Sequence, residues 1–502
     1  MKIVPSEYQK AVYDFVSSGN GSGYINAVAG SGKTTTIVNA SGLIPSNEST
    51  VFLAFNKKIA AELESRLPST VKVSTFHALC LQAWRKYRNN KVRVDGDKLK
   101  VLSWNLSKEN PRYKNHSGTA CQLVSKAKAL GIGIFNEADE QSFYEIADYF
   151  DIDLPDNPIG QKAAIEAAIT LLEESNNAST QSGTSYIDFD DMLYMPLKEN
   201  IEMPRFDNVI IDESQDTNKI QREIVKKMLN SNGRLLAVGD EKQAIYGFRG
   251  ADSNAVKLIK DEFDCQEFPL FYCYRCAKEI IKLAQTIVPY IQAPDSAIDG
   301  TVMRNAIIEE QKFENSDVIL CRNTKPLVDF AFYLIGKGIG CKVLGRDIGG
   351  SLIKLIEKMR ANSIENLYEK LEKYREAETV KYMKKYQNEK IDALEDKVNT
   401  IYTIIGNLEE HRNTINDLCV KIETMFGDEN ETRNILTLST VHKSKGLEWK
   451  RVFIYRHDLL PSKYAIKDWQ VEQERNLQYV AYTRAKESLV ILSGEVAKNN
   501  NR

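Results

Sequence analysis

The chain has 502 residues, and its formal net charge of -2, with 27% charged residues of both signs, excludes a polycation that would grip nucleic acid through overall charge. No run approaches the ~18 consecutive apolar residues of a membrane span, and the N-terminal "MKIVPSEYQK" lacks the apolar stretch of a secretion signal, so a cytoplasmic protein of about two to four domains is expected. The eight cysteines are scattered as in a thiol-containing chain rather than a disulfide framework, and Cys273 and Cys276 in "CYRC" have no second pair at zinc-ligand spacing.

"GYINAVAG" supplies a short apolar strand, "GSGKT" a tight turn and "TTIVNASGLI" the start of a helix. This is the strand–loop–helix setting of a phosphate-binding loop. Ala29, Gly30, Ser31 and Gly32 form the cradle, where glycines let backbone N–H groups close on phosphate oxygens. Lys33 is expected to reach the β- and γ-phosphates, Thr34 to ligate Mg²⁺, and Thr35 to continue the binding turn. The first position of the pattern is Ala27 rather than glycine. Further along, "LAFNKK" places Phe55 after a strand and "STFHAL" offers Phe76 and His77. Such aromatics serve as base-stacking platforms or, for Phe76 above all, as core. "WRKYRNNKVR" reads equally as a nucleic-acid contact or a solvated helix face.

In "FDNVIIDESQDTN" an apolar strand ends in Asp212 and Glu213, at the edge where α/β sheets place their ligands. Asp212 is suited to hold Mg²⁺ through water and Glu213 to polarise the attacking water. Three more blocks follow: "AVGDEKQAIYGFRGA" with Tyr246, Phe248 and Arg249, "TVHKSKGLEW" with His442, and "QYVAYTRAKESL". His77 and His442 read equally as strand contacts or structural hydrogen-bonders.

The blocks, in this order, resemble the UvrD/PcrA/Rep group of superfamily 1 DNA helicases, and they frame the chain from Gln9 to Lys486. The resemblance implies that Gln9 reads adenine, Tyr274 stacks on it, and Glu448 accepts from the ribose. It implies that Gln243 senses the γ-phosphate and links hydrolysis to the DNA track, that Arg275 touches the γ-phosphate, and that Arg484 is the arginine finger. The family's asparagine before the tyrosine is Cys273 here, its tryptophan is Phe248, and Leu460 stands where relatives often have phenylalanine before the proline.

The expected fold class is α/β, with two RecA-like parallel-sheet motor domains that each carry a mainly helical insertion. The first spans residues 1–83 and 186–260, interrupted by 84–185; the second spans 261–350 and 431–502, interrupted by 351–430. In the last segment Leu394, Val398, Ile401, Ile405 and Leu408 alternate spacings of four and three, as do Ile415, Leu418, Ile422 and Met425, which predicts a helical hairpin or small bundle. Those rows must pack on each other or on a protein partner. Because no ATP motif lies inside it, this insertion is expected to be replaceable by a linker without loss of the motor. The expected function is ATP-dependent movement along single-stranded DNA with duplex unwinding, at single-strand/duplex junctions, using ATP and Mg²⁺ and with the 3′ to 5′ polarity the resemblance implies. A nucleic-acid-activated ATPase subunit of a larger complex is the alternative. A small-molecule kinase leaves two distant arginines and the aromatic series unexplained.

Overall fold

The computed structural model describes residues 4–18, 20–150, 152–155, 157–245, 254–337, 339–384, 388–408, 413–427, 435–463 and 465–496. They fall into two compact units, one of residues 1–27 and 32–271, the other of residues 28–31 and 272–502.

The first unit is built on a six-stranded parallel sheet of β1 (Ser22–Ala27), β2 (Thr50–Ala54), β3 (Val71–Thr75), β6 (Phe206–Ile211), β7 (Leu229–Gly239) and β8 (Cys265–Leu270), in the order β3-β2-β6-β7-β1-β8. All five residues of "TVFLA" in β2 are buried, as expected for a central parallel strand covered on both faces. Adjacent β6, β7 and β1 all run the same way. The turns after them therefore meet at one edge of the sheet, the edge at which open α/β sheets place their ligands.

Two expectations change here. The second unit was expected to begin at residue 261, but β8 pairs with β1 from Ser22↔Cys265 to Ala27↔Leu270 and completes the first sheet, so the unit extends to Phe271. "WRKYRNNKVR" divides: Trp84 is fully buried, its indole N–H donating to Ser185 Oγ at 3.0 Å, while Tyr87 is exposed.

Between β3 and β6 the chain forms the helices Lys98–Glu109, Ser117–Leu130, Glu140–Tyr149 and Pro158–Thr180, with a small parallel pair of β4 (Val92–Val94) and β5 (Ser185–Ile187). Leu123, Phe143 and Leu171 of these helices share one core with Val51 and Ile211 of the sheet. Two buried lysines tie them together. Lys98 Nζ lies 2.5 Å and Lys128 Nζ 2.6 Å from the Asp191 carboxylate, and Lys128 also pairs with Asp188 at 3.2 Å. Asp188 and Asp191 form the capping box of the helix Phe189–Lys198. Burial and the neighbouring Asp191 push Asp188 up to about 6. Burial would also raise Asp191, but Lys128 and Lys98 overcome it and hold that carboxyl below its ordinary value.

The second unit has a seven-stranded parallel sheet of β9 (Thr301–Ile307), β10 (Val318–Cys321), β11 (Cys341–Leu344), β12 (Phe426–Gly427), β13 (Leu436–Thr440), β14 (Trp449–Ile454) and β15 (Ala485–Ser493), ordered β12-β11-β13-β10-β14-β15-β9. The two sheets are the RecA-like pair of the α/β class expected. Residues 346–425 contribute the helices Arg346–Met359, Ile364–Lys384, Asn388–Ile405 and Ile415–Met425. Their apolar rows are not a free-standing bundle. Leu394, Val398, Ile401, Leu418 and Ile422 share the core of the sheet with Leu327, Phe330 and Leu438, and β12 at the end of the segment pairs with β11. The expectation that the insertion can be cut out harmlessly is therefore corrected: it supplies part of the core that holds the second sheet together.

Candidate functional site

After β1 the loop places Gly30 at φ 67° and Gly32 at φ 77°, left-handed conformations in which a Cβ is disfavoured. Gly32 caps the helix Lys33–Ser41, whose first turn carries Lys33, Thr34 and Thr35 and no acidic residue. Ser31 is buried and its hydroxyl has no hydrogen-bond partner, so this cradle holds a polar atom in want of an acceptor. A helix N-terminus with open N–H groups and an orphaned hydroxyl fits a phosphate.

Lys33 Nζ lies 3.3 Å from Glu213 Oε1. Burial works against its charge, but Glu213, Asp240 and Asp212 outweigh burial and raise the lysine above its ordinary value. Asp212 follows β6 directly, accepts from the Glu213 backbone N–H at 2.9 Å, and is pushed up to about 6 by burial and by Glu213. Glu213 itself has φ 50°, a strained setting for a residue with a Cβ. Beyond β7, the Gln243 carboxamide donates to Asp240 Oδ2 at 2.6 Å, and burial pushes Asp240 up to about 6. Gln9 is buried and held twice, accepting from the Ser6 N–H at 3.1 Å and donating to Thr36 Oγ1 at 3.0 Å. Thr36 was not singled out from the sequence, although it lies one turn beyond Gly32, whose carbonyl it also bonds at 3.0 Å.

The second unit gathers the remaining expected residues. Tyr274 is 49% exposed, its ring tilted against that of Tyr272 at 6.4 Å between centroids. Arg275 Nε meets Glu448 Oε2 at 2.6 Å, and Lys486 Nζ meets Glu448 Oε1 at 2.6 Å. Burial would raise Glu448, but Lys486 and Arg275 hold it below the usual carboxylate range. Lys486 is thus a member of this cluster that the motif reading passed over. Arg484 is 1% exposed, its guanidinium donating to Val480 O and Leu447 O at 2.9 Å and to Thr483 Oγ1 at 3.2 Å. Burial and then Arg275 lower it to about 10, which leaves it charged at neutral pH. Cys273 and Cys276 are both buried, and the Cys276 N–H donates to Cys273 Sγ at 3.4 Å.

The strand-contact candidates are treated unevenly. Phe55 is 48% exposed and His77 is exposed. Phe76 is 6% exposed and packs in the core with Leu79 and Trp84, so its assignment as a stacking platform is corrected to core. The helix Phe76–Tyr87 turns its first residue inward and its second outward. His442 is half-buried, Leu460 is buried, and Tyr246, Phe248 and Arg249 lie outside the described residues. Among the described residues no three His, Cys, Asp or Glu are grouped to hold a metal.

Residues 8–264 match the model of the UvrD/REP helicase N-terminal domain, and residues 436–492 that of the UvrD-like helicase C-terminal domain. The chain is 24% identical to a probable DNA helicase II homolog of Mycoplasma pneumoniae, over 95% of this chain and 82% of that protein. It is 24% identical to the ATP-dependent DNA helicase Rep of Buchnera aphidicola, over 94% of this chain and 92% of Rep. It is 23% identical to the ATP-dependent DNA helicase PcrA of Staphylococcus aureus, over 93% of this chain and 80% of PcrA.

Proposed function

We propose, from the premise that this chain belongs to the UvrD/REP helicase family and is an ATP-hydrolysing DNA helicase, that it moves along single-stranded DNA in the 3′ to 5′ direction and opens duplex at single-strand/duplex junctions. The observation that supports this most is the grouping of Lys33, Asp212, Glu213, Asp240 and Gln243 at the same ends of three neighbouring strands, with Lys33 and Glu213 in contact. That is the layout of phosphoryl-transfer catalysis, which is mostly positioning and charge.

In this reading the loop from Ala29 to Thr35 cradles the phosphates, and Lys33 leaves Glu213 to neutralise the β- and γ-phosphates. Glu213, released from that ion pair, orients the attacking water. Thr34 and Asp212 would hold Mg²⁺, which when bound would supply positive charge to the β- and γ-phosphates. Arg275 and Arg484 supply further positive charge to the γ-phosphate. For Arg275 this means exchanging the Glu448 carboxylate for a phosphate oxygen. Gln9 and Tyr274 hold the adenine, and Glu448 the ribose. Phe55, His77, His442 and the "YGFRG" run carry the strand.

The test is turnover of ATP by the purified chain with and without single-stranded DNA, followed by displacement on duplexes bearing a 3′ or a 5′ tail. Stimulated turnover with opening of the 3′-tailed duplex is expected. Stimulated turnover without displacement on either substrate would make the chain an ATPase that needs a complex in order to unwind.

A further inference from the structure

One buried side chain between the two catalytic loops of the first unit has no role in the account above. Gln215 is 1% exposed. Its Nε2 donates to Glu213 Oε2 at 2.5 Å, and its Oε1 accepts from the Asp240 backbone N–H at 3.1 Å. The chemistry fixes the orientation of the amide, because a carboxylate only accepts and a backbone N–H only donates. From Asp240 the chain of bonds continues: Oδ1 accepts from the Lys242 N–H at 3.0 Å and Oδ2 from the Gln243 carboxamide at 2.6 Å. The path from Glu213 to Gln243 is therefore unbroken, and Gln215 is its middle link.

The surroundings keep that link in place. Ser214 Oγ donates to Val238 O at 2.9 Å, pinning the loop after β6 against the end of β7. At Gly239 a Cβ would stand 2.6 Å from Gln215 Oε1 and 2.7 Å from Ser214 Oγ, so only glycine lets the amide lie against the strand. A glutamine so enclosed has no slack: moving Asp240 or Gln243 must shift Gln215, and with it the Glu213 carboxylate.

We propose that Gln215 is a positioning residue that couples Glu213 to Gln243, so that the part of ATP turnover stimulated by single-stranded DNA passes through its carboxamide. This rests on the function proposed above. Gln243 precedes Tyr246 by three residues in the chain, which puts the coupled group next to the sequence that carries the strand contacts. A shift of the strand-bearing segment then moves the Glu213 carboxylate into or out of line with the attacking water.

The test compares kcat and KM for ATP, with and without an oligothymidylate strand, in the full-length chain, in Gln215→Met, in Gln243→Ala and in the double variant. Methionine keeps the volume and removes both hydrogen-bonding groups. Strand-stimulated kcat is expected to fall about ten- to a hundredfold in Gln215→Met, the scale of a misplaced catalytic group, with a smaller fall in the unstimulated rate and KM within about threefold. In the Gln243→Ala background the same substitution is expected to remove little more, because both act on one path. Gln215→Glu, which keeps the shape but cannot donate to Glu213 when ionised, is the second variant should the methionine fail to fold, and the same pattern is expected of it. Equal losses with and without the strand, or losses that multiply in the double variant, overturn the inference. A wild-type chain with no strand stimulation at all overturns the proposed function and the inference together, so the two failures are told apart.

Discussion

Arg484→Ala is expected to act twice, and the structure lets the two effects be sized separately. Truncation removes three donors and leaves the Val480 and Leu447 carbonyls without the guanidinium they now share at 2.9 Å. Val480 O keeps the Thr483 hydroxyl at 3.3 Å, so Leu447 O is the acceptor that loses its donor, and at about 1–3 kcal/mol for an unsatisfied acceptor the second unit loses roughly that much of the ~5–15 kcal/mol that holds a domain folded. The proposed finger role adds a kinetic loss of ~10³–10⁵, equivalent to about 4–7 kcal/mol of barrier at ~1.36 kcal/mol per decade. The first effect lowers the number of folded molecules. The second persists in every folded molecule. Turnover should therefore be normalised to sites that bind a fluorescent ATP analogue, with the unfolding midpoint measured in parallel. Arg484→Lys keeps the charge but not the planar fork, so it is expected to recover part of the stability and little of the rate. Wild-type turnover per nucleotide-binding site in Arg484→Ala would refute the finger role, and an unchanged unfolding midpoint would refute the structural one.

Lys33→Ala is expected to abolish hydrolysis while single-strand binding survives, checked by phosphate release and by fluorescence anisotropy of a labelled strand; retained turnover removes the loop from the active site. Asp191→Ala leaves the buried Lys98 ammonium without its paired carboxylate and Lys128 with Asp188 alone, and is expected to destabilise the first unit by about 3–5 kcal/mol, read as faster amide exchange in the helices Lys98–Glu109 and Ser117–Leu130. Asp188, at about 6 when folded against about 3.9 unfolded, contributes stability that is present below pH 4 and lost as pH rises through 6. Asp188→Asn, which keeps the cap, should therefore gain on wild type between pH 4 and 7 by up to about 3 kcal/mol at ~1.36 per unit, and a denaturation series showing the opposite trend would contradict the buried setting. Replacing residues 351–425 by a flexible linker is expected to unfold the second unit; a folded deletion variant that still hydrolyses ATP would show its core to be separable.

The turn of the proposed phosphate loop and the strand before the proposed acidic pair were legible because both features are local. Gly30 and Gly32 stand where the backbone turns left-handed, and Asp212 ends a run of buried apolar residues, features that need only a few neighbours in sequence. Strand β8 was not legible as part of the first sheet. "CQEFPL" buries only Phe268 and Leu270 and contains Pro269, which suits an edge strand, but nothing in six residues says which sheet that edge belongs to. Phe76 stood between stacking platform and core for a related reason: one aromatic beside one histidine does not reveal which of the two faces inward. Nothing in the sequence singles out Lys98 and Lys128, because their partners, Asp188 and Asp191, lie at least 60 residues away. The link through Gln215 was hidden inside "DESQDTN", where its neighbours Asp212 and Glu213 drew the chemistry.

The helical rows of the insertion show how a periodicity can be right and its interpretation incomplete. Spacings of three and four mark one apolar face, whether that face meets a second helix of the same insertion or the helix Thr324–Gly336 that covers the sheet. The polar residues of the same helix, Asn388–Ile405, decide between these. Asp396 accepts from the backbone N–H groups of Thr324 and Lys325 at 2.9 and 2.7 Å, and Thr403 Oγ1 donates to Asp329 at 2.9 Å. The Thr324–Gly336 helix makes no side-chain cap of its own: Asn323, at its N-cap, donates to Asp392 instead, at 3.2 Å. The cap is supplied from 72 residues downstream, and burial raises Asp396 above its ordinary value against the pull of those two N–H groups. A helix of the sheet that borrows its cap from the insertion cannot keep its N-terminus satisfied once the insertion is removed. The insertion is thus bound to the second sheet by hydrogen bonds as well as by apolar area, and any regulation it exerts would act through the Thr324–Gly336 helix and the β11–β12 pairing rather than as an independent module.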